Sequence, residues 1–150
     1  TNMPIIILKD MEEKRALPIW IGLIEASAIA TEIENIKLSR PMTHDLIRTM
    51  LQSLNVNVKK VEVTDLNDNT FYARILLEQA GKEFMIDSRP SDAIAISLRT
   101  KAPIFVNERV VEKSRKVDLG GGAGEEKLKK EKWNEILENL SPEDFGKYRM

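Results

Sequence analysis

Residues 56–87 hold three consecutive strand-like segments, "VNVKKVEVTDL", "TFYARILLEQ" and "KEFMID", interrupted only by Asn67-Asp68-Asn69 and by Ala80-Gly81. Connections this short leave no room for a crossover, so the three segments must lie side by side as an antiparallel meander. In the middle segment Phe71, Ala73, Ile75 and Leu77 share one face. The sheet therefore has an apolar side that another layer must cover. In the first segment Lys59-Lys60 shifts the alternation, which marks a bulge.

The covering layer is helical. Residues 23–36, "LIEASAIATEIENI", place Ile29, Ile33 and Ile36 along one helical side, with Ala26, Ala28 and Ala30 as a thin surface for close packing. Thr43 is placed to cap a second helix, whose Leu46, Ile47, Met50, Leu51 and Leu54 follow the i, i+3, i+4, i+7, i+8 spacing. Residues 91–100 are apolar around most of a helical circumference, which predicts a buried helix. Before these, Pro4–Leu8 and Leu17–Ile21 are short apolar runs joined by a charged stretch, a hairpin ended by Gly22. "APIFV" at 102–106 is a further short strand. It echoes "LPIWI" at 17–21, as Arg89-Pro90 echoes Arg40-Pro41, and the two echoes hint at an internal duplication. The expected fold is α+β, a twisted, mixed, largely antiparallel sheet packed with helices. Residues 1–117 form the domain, 118–126 ("DLGGGAGEE") a glycine-rich linker, and 127–150 a helical C-terminal tail with a stripe of Leu128, Trp133, Ile136, Leu137 and Leu140.

Charge and composition limit what such a domain can do. Residues 1–117 carry 17 Lys+Arg against 16 Asp+Glu, and the remainder 6 against 8, so neither part is a polycation. A protein gripping a long duplex without sequence preference needs a basic stripe, so any nucleic-acid contact here has to be local. With no cysteine there is neither a disulfide framework nor a thiolate nucleophile or metal ligand, as a reducing cytoplasm permits. The longest apolar run, Pro4–Leu8, cannot span a bilayer, so no membrane partner is expected. The chain starts at Thr1 without an initiator Met or a signal-like segment, and a preceding strand is expected.

Most catalytic schemes fail on residue type. His44 is the sole histidine, which removes paired-imidazole chemistry and His-rich metal sites within one chain. No phosphate-loop glycine pattern and no G-x-S-x-G elbow occurs. Carboxylates remain. In "DSRPSDAIA", residues 87–95, Asp87 closes a strand, Asp92 opens a helix, and Arg89 lies between them. Two carboxylates and a guanidinium at one cleft would suit a hard divalent cation and a phosphate, because Mg²⁺ needs only one or two carboxylates beside water and phosphate oxygens. The same letters also describe a plain helix start, with Ser88 or Ser91 as N-cap, Pro90 near N1 and Asp92 complementing the dipole. That alternative leaves Arg89 and the second Arg-Pro at Arg40 without a task. Glu25 and Glu32 read as solvated acids, and Trp20 and Phe105 as core or interface residues rather than stacking platforms, since nothing basic interleaves with them. His44 reads first as structural or solvated, with Arg40 and Asp45 close by in sequence.

Six motifs in order, "LPIWIG" (17–22), "EASAIA" (25–30), "RPMTHDL" (40–46), "TFYA" (70–73), "DSRPSDAIA" (87–95) and "PIF" (103–105), resemble the bifunctional nuclease domain family. The resemblance runs from about residue 4 to residue 116 and departs at Ser39, where the family often has proline. It implies a dimer-forming α+β domain that cleaves DNA and RNA with Mg²⁺ or another divalent cation. It marks Arg40, His44, Asp45, Asp87, Ser88, Arg89, Ser91 and Asp92 as family-like. On that footing the expected site has Asp87 and Asp92 on the metal, and Arg89 with Arg40, Ser88 and Ser91 on phosphate. Asp45 and His44 position water or a second phosphate. The competing expectation is a noncatalytic dimeric module that binds an anionic ligand or a protein.

Overall fold

The computed structural model describes residues 3–12 and 14–119. Strands β1 (Ile5–Lys9) and β2 (Ala16–Trp20) form the expected hairpin, paired from Ile5↔Trp20 to Lys9↔Ala16. Its connection is clipped by Asp10, whose Oδ1 accepts the Lys14 N–H at 2.8 Å. Ile6, Ile7 and Leu8 are all buried, so the hairpin is covered on both faces. Helix α1 (Leu23–Ile33) follows and stops three residues short of the expected end. The reason is Asn35, which takes φ 55°. Asparagine tolerates that left-handed conformation and terminates helices there.

Helix α2 (Thr43–Ser53) begins at Met42, and Thr43, the expected cap, already lies inside it. Asp45, at the third helical position, takes over the capping by accepting the Met42 N–H at 3.0 Å. The α2 stripe is only partly core. Ile47 packs on the sheet, but Leu46, Met50 and Leu54 are 51%, 54% and 61% exposed.

Strands β3 (Asn57–Asn67), β4 (Thr70–Gln79) and β5 (Lys82–Ser88) form the meander. Both of its turns are two-residue loops with positive φ at each position, Asp68 and Asn69 in the first, Ala80 and Gly81 in the second. That backbone matches the natural twist of the strands it joins. The register slips between Val58 and Lys60, where the lysine pair predicts a bulge, and again between Val63 and Asp65.

Helix α3 (Pro90–Thr100) is the buried helix and the centre of the molecule. Ala93 and Ile96 face Val61, Ala73 and Ile75 of the meander. Ile94 and Ala95 face a second core made with the hairpin and with Ala28 and Ile29 of α1. After α3, strand β6 (Ile104–Val106) joins β3 in parallel, giving a sheet of order β5-β4-β3-β6. The fold is thus α+β, but its strands form two sheets, since β1-β2 stands apart from the other four. "LPIWI" lies in the antiparallel hairpin and "PIF" beside or within a parallel edge strand, so the likeness of those segments is not one of topological position.

Helix α4 (Glu108–Leu119), for which the sequence patterns predict no element, runs through the expected domain end at 117 and over the first two residues of the expected linker. Lys113 holds it to β3 through Asp65 Oδ1 at 2.7 Å and Asn67 Oδ1 at 3.0 Å. The rest of the linker and the expected tail lie outside the described residues. Among the described residues no helix is long and apolar enough to cross a membrane.

Candidate active site

The first turn of α3 meets α1 and α2 at one cluster of charge. Arg89 stands at the N-cap position with φ −70° and ψ 148°, and Pro90 is the first helical residue. An extended backbone before proline is what the proline ring enforces. One turn on, Asp92 folds back to Arg89: Nε donates to Oδ2 at 2.9 Å and Nη2 to Oδ1 at 3.2 Å. Arg89 Nη1 reaches across to α1 and donates to Glu25 Oε1 at 3.0 Å. Asp92 Oδ1 also lies 2.9 Å from His44 Nε2, in the first turn of α2. Glu25 sits at the third position of its own helix, and its carboxylate folds against Gly22, where a Cβ would collide with it.

Exposure separates these four side chains. His44 is 14% exposed and Arg89 63%, so the histidine is walled in while the guanidinium faces solvent. Partial burial by itself would raise the Asp92 carboxyl. The hydrogen bonds from Arg89 and His44, with their charges, outweigh it and hold Asp92 below the usual aspartate range. An ionised carboxylate can only accept, so His44 Nε2 carries the hydrogen and Nδ1 is left as the ring nitrogen able to take a proton. Arg89 has five N–H donors and spends three of them on Asp92 and Glu25, which leaves two.

Beside this cluster lies an open pocket of about 300 Å³, with Trp20, Glu25, Thr70, Phe71 and Arg89 in its lining. Trp20 is 52% exposed and Phe105 50%, so of the two expected places, core or interface, the core is ruled out. On the other side, Asp45 and Arg99 make a second ion pair, Nε to Oδ1 at 2.7 Å, one residue along α2 and two turns along α3 from the His44–Asp92 pair. The start of α2 is therefore fastened to α3 at two levels.

The structure does not bring all the expected residues together. Asp87 is opposite Arg74 in the β4–β5 register, whereas Ser88 is opposite Ala73, which packs under α3. Neighbouring strand residues point to opposite faces, so Asp87 projects from the side of the sheet turned away from Asp92. Ser88 Oγ donates to the Arg89 carbonyl at 2.8 Å, and Ser91 is buried; neither caps α3 with its side chain. Arg40 is exposed and lines a different pocket, together with Asp45. The sequence patterns miss Glu25 and Arg99. Both gain their roles from partners 64 and 54 residues away, and no local pattern signals such a pairing.

The donor set does not fit a resident divalent cation. Both Asp92 oxygens and Glu25 Oε1 already accept from the Arg89 guanidinium, and Asp87 is on another face. Among the described residues no group of three or more acidic or imidazole side chains is arranged to hold a metal ion.

The family model of the bifunctional nuclease domain matches residues 6–118. The chain belongs to this family. An uncharacterized protein of Mycobacterium tuberculosis is 37% identical over 149 residues, covering 96% of this chain and 89% of the relative. Bifunctional nuclease 1 of Oryza sativa subsp. japonica is 33% identical over 110 residues, 70% of this chain and 33% of the plant protein. Bifunctional nuclease 1 of Arabidopsis thaliana is 31% identical over 110 residues, 70% of this chain and 34% of the relative. The match to these two plant proteins thus spans about a third of their length. All the motifs singled out above, and the four residues of the charged cluster, fall inside the family match.

Proposed function

We propose that the chain is a nuclease-like phosphodiesterase acting on DNA or RNA, with Arg89, Asp92, His44 and Glu25 as its reaction centre. The observation that carries this reading is the meeting of a solvent-facing guanidinium with a walled-in His–Asp pair at the junction of three helices, in a domain whose plant relatives bear the name bifunctional nuclease. Asp92 and Glu25 hold the Arg89 fork in place, and its two remaining N–H groups receive the non-bridging oxygens of a phosphodiester. His44 Nδ1 takes the proton of the attacking water, or of a ribose 2′-hydroxyl, as that oxygen bonds to phosphorus and the phosphorus–oxygen bond to the departing strand breaks. The imidazolium, held by Asp92, then returns the proton to the leaving oxygen. No step is assigned to a divalent cation. A cytoplasmic setting and a homodimer complete the proposal; the first rests on the cysteine-free composition, the second on apolar surface left open by the fold.

The test is cleavage of labelled single- and double-stranded DNA and RNA by extensively purified protein, with and without chelator, beside Arg89→Ala and His44→Ala. Loss of a charge-stabilising donor lowers turnover by about 10²–10³-fold, and loss of the acid/base residue by about 10²–10⁴-fold. Unchanged turnover in both variants, folded by circular dichroism, overturns the assignment. The mutual satisfaction of the four side chains favours a second reading, a noncatalytic module that binds an anionic ligand. Oligonucleotide binding with no cleavage under any condition selects it.

A further inference from the structure

The pocket between the end of α1 and the start of α2 has no part in the reaction just described. It measures about 340 Å³, and its lining includes Lys37, Arg40, Arg48 and Arg99 with Glu32 and Asp45. Two of these six charges are already spent on each other. Arg99 donates to Asp45 Oδ1 and to the carbonyls of Ala95 and Ala28, while Asp45 Oδ2 takes the Met42 N–H. What remains is Lys37, Arg40 and Arg48 against Glu32, a local surplus of two positive charges in a chain whose net charge is −1. Among the described residues none of the three cations makes a hydrogen bond or a close ion pair, and Arg48 acts on Asp45 through its charge alone. Three cations gathered round one pocket with a single opposing free carboxylate attract an anion, and a guanidinium fork is suited to phosphate oxygens.

We propose that this pocket is a phosphate subsite for the backbone of a single nucleic-acid strand, one or two nucleotides away from the phosphodiester held by Arg89. The proposal rests on the nuclease reading for its direction, because the pocket and the reaction centre share the first turn of α2: Asp45 lines the pocket and His44, its chain neighbour, bonds Asp92. It also accounts for affinity in a chain without a basic stripe. Two guanidiniums and an ammonium, concentrated beside the site, supply the local attraction for a strand that overall charge does not.

The experiment is fluorescence anisotropy of the full chain with a labelled single-stranded phosphorothioate oligonucleotide, repeated over a range of salt. Arg40→Ala/Arg48→Ala should bind at least tenfold more weakly at low salt, and its plot of log affinity against log salt should be shallower by about 0.7 for each phosphate no longer neutralised. Arg48→Lys keeps the charge and should keep most of the slope. A folded double variant with unchanged affinity and slope overturns the subsite, and so does inorganic pyrophosphate binding as tightly as the oligonucleotide, since the ligand would then be a free phosphate. The two proposals fail separately. Cleavage with an unaltered salt slope in the double variant removes the subsite and leaves the nuclease; an altered slope without any cleavage removes the nuclease and leaves the subsite.

Discussion

Arg99 is 6% exposed and yet fully occupied, bonding Asp45 on α2, Ala28 on α1 and Ala95 on its own helix. Its planar fork spreads three donors over acceptors on three helices, where a lysine's three donors sit on a single nitrogen. The three helices that carry the charged cluster are thereby held by one buried side chain. Arg99→Met should destabilise by about 1–3 kcal/mol, less than the loss of a wholly buried pair because Asp45 keeps the Met42 N–H and some contact with solvent, measured as a lower urea midpoint at pH 7. Its pH dependence is fixed in sign. Partial burial pushes the Asp45 carboxyl up, but the Arg99 hydrogen bond, the Met42 N–H and the charges of Arg99 and Arg48 prevail, so its folded pKa lies below the ordinary value. A depressed folded pKa contributes stability that is present above the unfolded value of about 3.9 and lost as pH falls through the folded value. The gap between wild type and Arg99→Met should therefore be full above about pH 5 and narrow below pH 4. A gap that widened in acid would show that Arg99 does not act through Asp45.

The elements were legible where their cause is local. Two-residue turns at Asp68-Asn69 and Ala80-Gly81 and period-two alternation suffice for the meander, and the apolar circumference of residues 91–100 suffices for a buried α3. The charged cluster was half legible. "RPSD" announces Arg89 and Asp92 because both belong to one helix start, and His44 is a site candidate through "RPMTHDL", but its bond to Asp92 and the arrival of Glu25 come from tertiary packing alone. Asp87 was misplaced for the opposite reason: closeness in sequence counts for little on a strand, where successive side chains part to opposite faces. α2 shows a third kind of gap, since a stripe at helical spacing reveals an apolar face without revealing whether the same chain covers it. The second meander turn makes a test at this scale. Ala80 holds φ 50° with a methyl group that the left-handed region disfavours, followed by Gly81 at φ 81°. Ala80→Asn creates the Asn-Gly pair preferred in such a turn, and should raise stability by about 0.5–1 kcal/mol. A lower midpoint in thermal or urea unfolding would mean that the turn is not the source of strain there.

At the scale of the molecule, the described residues leave apolar surface open. β5 is an edge strand with an unpaired side, and its Phe84, Met85 and Ile86 are all exposed. Phe84 and Ile86 pair with Leu77 and Ile75, so they lie on the sheet face that carries the helices. An exposed apolar edge is a template for pairing with another strand, and a second copy of this chain brings an identical edge with it. Antiparallel β5–β5 pairing about a twofold axis would continue the sheet. Light scattering at micromolar concentration should give twice the 17.1 kDa chain mass. Phe84→Lys/Ile86→Lys should give a monomer with the wild-type circular dichroism spectrum, because neither side chain is part of the buried core. A wild-type monomer ends the dimer proposal. A dimer that survives both lysines but is lost on deleting residues 120–150 moves the interface from the sheet edge to the tail, and with it the apolar stripe of Leu128, Trp133, Ile136, Leu137 and Leu140.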